Sequence, residues 1–136
     1  MSSSTYTGTC HCGAVEFRCE LDDAQPTSRC NCSICIKTRL WKSPAIPASS
    51  FTLLRGADAM TEYRFATRRI AHMFCRTCGM KLFGHASAAD FPNEFYVVNI
   101  GVLDGLSDEQ LAALPLEYQN GRNDDWQSAP AHTSFL

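Results

Sequence analysis

The sequence predicts a small, mainly β domain of antiparallel strands with little helix, tied together through its cysteines. Three observations carry that reading. The runs "AVEFRCE", "FTLLR", "MTEYRF", "IAHMFC", "KLFGHA" and "EFYVVNI" are short, rich in alternating apolar positions, and separated by Gly, Pro, Asp and Asn clusters. Helical periodicity is scarce. Seven of the eight cysteines fall into three close sets, "CHC", "CNCSIC" and "CRTC".

The first run, residues 14–20, turns Val15, Phe17 and Cys19 to one strand face, so Cys19 is read as a core thiol. "SPAIPASS", residues 43–50, reads as a loop. Strands follow over residues 51–55, 60–65, 70–75, 81–86 and 94–100. The clearest helix begins at Ser107, whose hydroxyl can cap the turn while Gln110 occupies the capping-box position. It should end near Leu114, because Pro115 follows. With 136 residues and 45% hydrophobic content the chain supports one domain, residues 1–136, and shows no repeat or linker.

Eight cysteines would suit a disulfide-stapled secreted domain, but "MSSSTYTG" has neither a basic nor an apolar leader segment. The expectation is a soluble protein of the reducing cytoplasm. The most apolar stretch, "FYVVNIGVL", is interrupted by Asn99 and Gly101 well short of the roughly 18 residues of a membrane span. The net charge of −2 conceals a division into −3 over residues 1–28, +8 over residues 29–81 and −7 over residues 82–136. A basic middle segment can mark a nucleic-acid face, or can surround an anion within the protein itself.

The cysteines offer that anion. In reducing surroundings, thiols two or three residues apart read as zinc ligands, because a tight turn can aim two sulfurs at one ion about 2.3 Å away. Cys10 and Cys12 with Cys75 and Cys78 make a closed four-thiolate site, hence a structural one. Cys30, Cys32 and Cys35 supply only three sulfurs. Three protein ligands and an open fourth position distinguish catalytic from structural zinc. The competing possibility is closure of that second site by His72, His85 or His11.

The segments "GTCHCGAVEF", "CNCSIC", "FCRTCGMKLF" and "NIGVLD", in this order, resemble the glutathione-dependent formaldehyde-activating enzyme (Gfa) family, which includes centromere protein V. The resemblance runs from Tyr6 to Trp126. It implies a two-zinc, Mss4-like (β-tent) fold. Cys10, Cys12, Cys75 and Cys78 match the family's structural zinc ligands, and Cys30, Cys32 and Cys35 its catalytic ones. Two positions depart from the family pattern. Asn31 stands where the family often has histidine, and "LPLEYQNGRNDDW" lacks the histidine that often precedes the late tryptophan.

Three thiolates around zinc leave a charge of −1, which suits a soft thiol ligand better than hydroxide formation. A thiol ionised there can add to an aldehyde carbon or leave such an adduct, so an S-(hydroxymethyl)glutathione synthase or lyase is chemically reasonable. Glutathione's two carboxylates call for cations, for which Lys37, Arg39 and Lys42 are the candidates, with Arg64, Arg68 and Arg69 further on. His72, His85 and Tyr118 can transfer protons, and no spacing selects among them. Residues 123–125, "NDD", read as a solvated turn, and Trp126 as core or pocket wall. The alternative function is a non-catalytic zinc module that presents a surface to a partner. Nucleic acid is disfavoured as that partner, since two zinc-thiolate centres take the net charge to about −5.

Overall fold

A computed structural model describes residues 3–136. The first half of the chain forms β1 (Ser3–Thr9), β2 (Glu16–Asp22), β3 (Thr27–Cys30), a short helix α1 (Ser33–Thr38), β4 (Ile46–Pro47), β5 (Phe51–Arg55) and β6 (Met60–Tyr63). The second half forms β7 (Ile70–Cys75), β8 (Lys81–Ala86), β9 (Phe95–Val98), β10 (Leu103–Asp104), α2 (Asp108–Ala113) and β11 (Leu116–Gln119). The fold is mainly β. Two antiparallel sheets, in the orders β10-β1-β2-β5 and β4-β9-β8-β7-β6, are accompanied by a separate two-stranded ribbon of β3 and β11.

The alternation in β2 does what the sequence implies. Val15, Phe17 and Cys19 are all buried, and Cys19 packs in the main core, where burial pushes its thiol up to about 12. That core lies between the two sheets. Phe17 and Phe51 from one meet Phe83 and Tyr96 from the other, with ring centroids 4.7 Å apart for Phe51–Phe83 and 4.0 Å for Phe51–Tyr96. Close packing also explains Gly8, opposite Phe17 in the β1–β2 register, because a Cβ there would lie 2.4 Å from the Phe17 ring.

Strands β5, β7 and β8 have the boundaries expected from their alternation, and α2 forms with its full capping box. The Gln110 N–H donates to Ser107 Oγ at 3.1 Å, and the Ser107 N–H donates to Gln110 Oε1 at 2.8 Å. Other elements lie outside the sequence expectations. Ser3–Thr9 becomes an inner strand of its sheet, held by backbone pairing to β2 and β10 although its residues are mostly polar. Within residues 43–50, Ile46 and Pro47 pair with β9 and a 3₁₀ turn follows at Ala48–Ser50. One pair, β3 with β11, is parallel. It brings the C-terminal part of the chain beside "CNCSIC".

Candidate functional site

Two hairpin turns build the first cysteine cluster. Cys10 and Cys12 lie between β1 and β2, while Cys75 ends β7 and Cys78 sits in the turn to β8. Their four sulfurs lie within 4.8 Å of one another, with Cys12 Sγ 3.6 Å from both Cys10 Sγ and Cys75 Sγ. A tetrahedron of Zn–S bonds of about 2.3 Å has edges of about 3.8 Å, so the set fits zinc. Backbone donors aim at the sulfurs, Val15 N–H at Cys10 Sγ (3.3 Å) and Cys78 N–H at Cys75 Sγ (3.4 Å). Backbone hydrogen bonds also draw the Cys78 thiol down to about 6. The turns close through Gly13 and Gly79, at φ of +83° and +75°.

Cys30 ends β3, Cys32 caps α1 and Cys35 lies within it, so a strand end and one helical turn gather the second cluster. These three sulfurs also lie within 4.8 Å of one another, and the Cys32 N–H donates to Cys30 Sγ at 3.4 Å. Hydrogen bonds from the Cys32 and Cys35 thiols pull Cys30 down to about 2, while the same sharing pushes Cys35 up. Three sulfurs gathered this closely suit a cation held by sulfur. Among the described residues no histidine or carboxylate joins either set. His85 instead pairs with Glu94 at 2.5 Å and stacks on Tyr96, and His11 is exposed beside the first cluster.

A cavity of about 90 Å³ borders the second cluster at Cys35. Leu40, Ile70, Phe95 and Val97 make most of its wall apolar, and His72 and Lys81 are its charged or titratable side chains besides the cysteine. Lys81 Nζ lies 2.8 Å from His72 Nδ1. Burial and the Lys81 charge push His72 down to about 4, and burial lowers Lys81. Lys81 lies outside the sequence expectations, as a lysine three residues after Cys78 at the start of the mostly apolar strand β8.

A family model described as glutathione-dependent formaldehyde-activating enzyme matches residues 5–117. The chain belongs to that family. A protein of Halomonas elongata, provisionally named for the same enzyme, is 58% identical over 31 residues. That match covers 23% of this chain and only 20% of the Halomonas protein. A crystal structure of a Rhodobacter sphaeroides protein is 37% identical with a TM-score of 0.68, over 82% of this chain and 99% of that one.

In this family member Asn31 takes a structural position. It is buried, its amide donates to Asn120 Oδ1 at 2.9 Å, and its Oδ1 accepts from the Arg122 N–H at 2.9 Å. Asn31 therefore links "CNCSIC" to the segment after β11. Gly121 completes the contact, because a Cβ there would lie 2.6 Å from Cys30 Sγ and from the Trp126 ring. Trp126 is 45% exposed rather than core, with Lys42 Nζ 5.4 Å over its ring and its indole N–H on Asp124.

The expected cations divide three ways. Lys42 donates to Gln119 Oε1 at 2.9 Å, and its charge reaches Cys30 and Cys35. Arg39 donates to the Phe135 carbonyl and lines a crevice with Cys30 and Cys35. Lys37 borders an open groove with Tyr63 and Phe65. Arg64 is tied to Glu62, Arg68 to the Arg64 carbonyl and Arg69 to the Asp90 carbonyl, all among surface loops. Tyr118 lies in β11, opposite Arg29 and outside the cavity wall.

Proposed function

We propose that this chain is a zinc-dependent carbon-sulfur lyase or synthase acting on glutathione–aldehyde adducts such as S-(hydroxymethyl)glutathione. The observation that carries the reading is a three-sulfur cluster, joined by no further protein ligand among the described residues, at the edge of a small apolar cavity. Zinc held by Cys30, Cys32 and Cys35 would supply a soft ion that favours thiolate over thiol. The cavity beside Cys35 suits the aldehyde end, with Phe95 and Val97 excluding water. Lys42, with Arg39 and Lys37 further out, is assigned to the glutathione carboxylates. Cys10, Cys12, Cys75 and Cys78 are assigned to a structural zinc.

The wider setting is consistent with this reading. All eight cysteines are free thiols, which suits a reducing cytoplasm, and residues 1–136 are read as one domain. Among the described residues no helix is long and apolar enough to cross a membrane.

The test is Co²⁺ substitution followed by thiol titration. Glutathione should change the cobalt absorption at lower concentration than 2-mercaptoethanol, because its carboxylates add contacts that a simple thiol lacks. Equal potency would remove glutathione as the favoured thiol. With no response to either thiol, the lyase reading gives way to a non-catalytic zinc module that presents a surface to a protein partner.

A further inference from the structure

We propose that Lys81, steadied by His72, is the catalytic group that binds the aldehyde oxygen and delivers its proton in the cavity beside Cys35. This rests on the lyase reading and names the small-carbonyl subsite within it.

The first support is a register irregularity. Residues opposite one another in a sheet share a face, and β7 pairs with β8 as His72 with Gly84 and Met73 with Phe83. Phe74 then pairs with Lys81, so Leu82 is passed over. Strict alternation would put Lys81 on the face of Phe83, toward the aromatic core. The bulge returns it to the face of His72, where the cavity lies. Asn99 holds this irregular segment, its amide donating to the Lys81 carbonyl and its N–H to the Leu82 carbonyl, both at 2.9 Å.

The second support is the company Lys81 keeps. No carboxylate lies within ion-pair distance of it among the described residues, and His72 Nδ1 is its hydrogen-bond partner. The apolar wall strengthens the hydrogen bond of such a lysine to a developing oxyanion. A cavity of about 90 Å³ has room for a few water-sized groups, hence for a one- or two-carbon aldehyde but not for the tripeptide.

The step balances without an oxidant or reductant. The thiolate sulfur forms a bond to the carbonyl carbon while the carbonyl π pair moves to oxygen. The Lys81 ammonium protonates that oxygen, leaving an amine hydrogen-bonded to His72. The proton released earlier by the thiol restores the ammonium through solvent. The lyase direction reverses each transfer.

Two measurements test the proposal. The zinc-loaded protein is treated with dilute formaldehyde and cyanoborohydride, and methylation of its three lysines, Lys37, Lys42 and Lys81, is followed by peptide mass. Lys81 should be methylated ahead of exposed Lys37 although it is half-buried. If it is the slowest of the three, the cavity does not receive the aldehyde and the proposal fails. In the second measurement Lys81→Met, which keeps length and removes a half-buried charge, should retain the glutathione response of the cobalt protein and lose about 100-fold in turnover. His72→Gln should lose less. Turnover within a factor of about three of wild type, or a cobalt response lost with the lysine, overturns the assignment. A wild-type cobalt protein that ignores glutathione sinks the lyase reading, and the methylation order still decides whether Lys81 meets the aldehyde.

Discussion

The two cysteine clusters use the same donor element and are supported in different ways. Cys10, Cys12, Cys75 and Cys78 sit in two turns stiffened by their own backbones, with neighbouring N–H groups on the sulfurs and glycines at positive φ. Cys30, Cys32 and Cys35 depend on remote chain. Asn120 and Arg122 hold Asn31, Gly121 leaves room for Cys30 Sγ, and Gln119 orients Lys42. The first cluster joins two turns distant in the chain and is complete in sulfur. The second is one sulfur short and borders a cavity. Ligand type alone therefore does not divide the two roles. In the proposed function, ligand count and what abuts the missing position divide them.

The sharpest way to break this contrast is Cys75→Ser. Structural zinc contributes an apparent binding free energy of about 10–16 kcal/mol, which becomes folding free energy. The variant should be unfolded or aggregated, and an unchanged thermal midpoint with full zinc content would falsify the structural assignment.

Cys32→Ser should instead keep its circular dichroism while losing one metal and all thiol-adduct turnover. Collapse of the whole fold would show the second cluster to be a clip as well, and full activity at full metal content would free Cys32 from the chemistry.

Asn31→Ala should act on one cluster selectively. It orphans the Arg122 N–H and removes one of the two donors to Asn120 Oδ1, leaving Asn123, which costs about 1–3 kcal/mol and should weaken metal at the second cluster about 10–100-fold. Chelator competition reads both clusters together. Equal weakening of the two would erase the distinction in how they are supported.

Cys19→Ala should matter least, costing about 1 kcal/mol and no metal. A thiol held near 12 should also resist iodoacetamide in the native protein. Fast alkylation of Cys19 while zinc remains bound would take it out of the core.

How far the sequence could be read follows from the range of each interaction. The cysteine sets were legible because two sulfurs on one turn are placed by covalent geometry over three or four residues. The strands "FTLLR", "IAHMFC" and "KLFGHA" and the capped α2 were legible for the same reason, since their signals are local periodicity and a local hydrogen-bond pair. Ser3–Thr9 was not, because partners on both sides make it a strand. Helix α1 is six residues long with no side-chain cap, too short to announce itself.

By itself the sequence determined the mainly antiparallel β architecture, the two groups of cysteines and the family to which the chain belongs. Tertiary structure alone decided what stands beside the second group. The parallel pairing of β3 with β11 brought Asn120 and Arg122 to Asn31, and a one-residue bulge turned Lys81 from the core face to the cavity face. The first depends on register between segments distant in the chain, the second on a shift within the β7–β8 hairpin. Register is set by the summed packing of whole strands, so no single residue type discloses it.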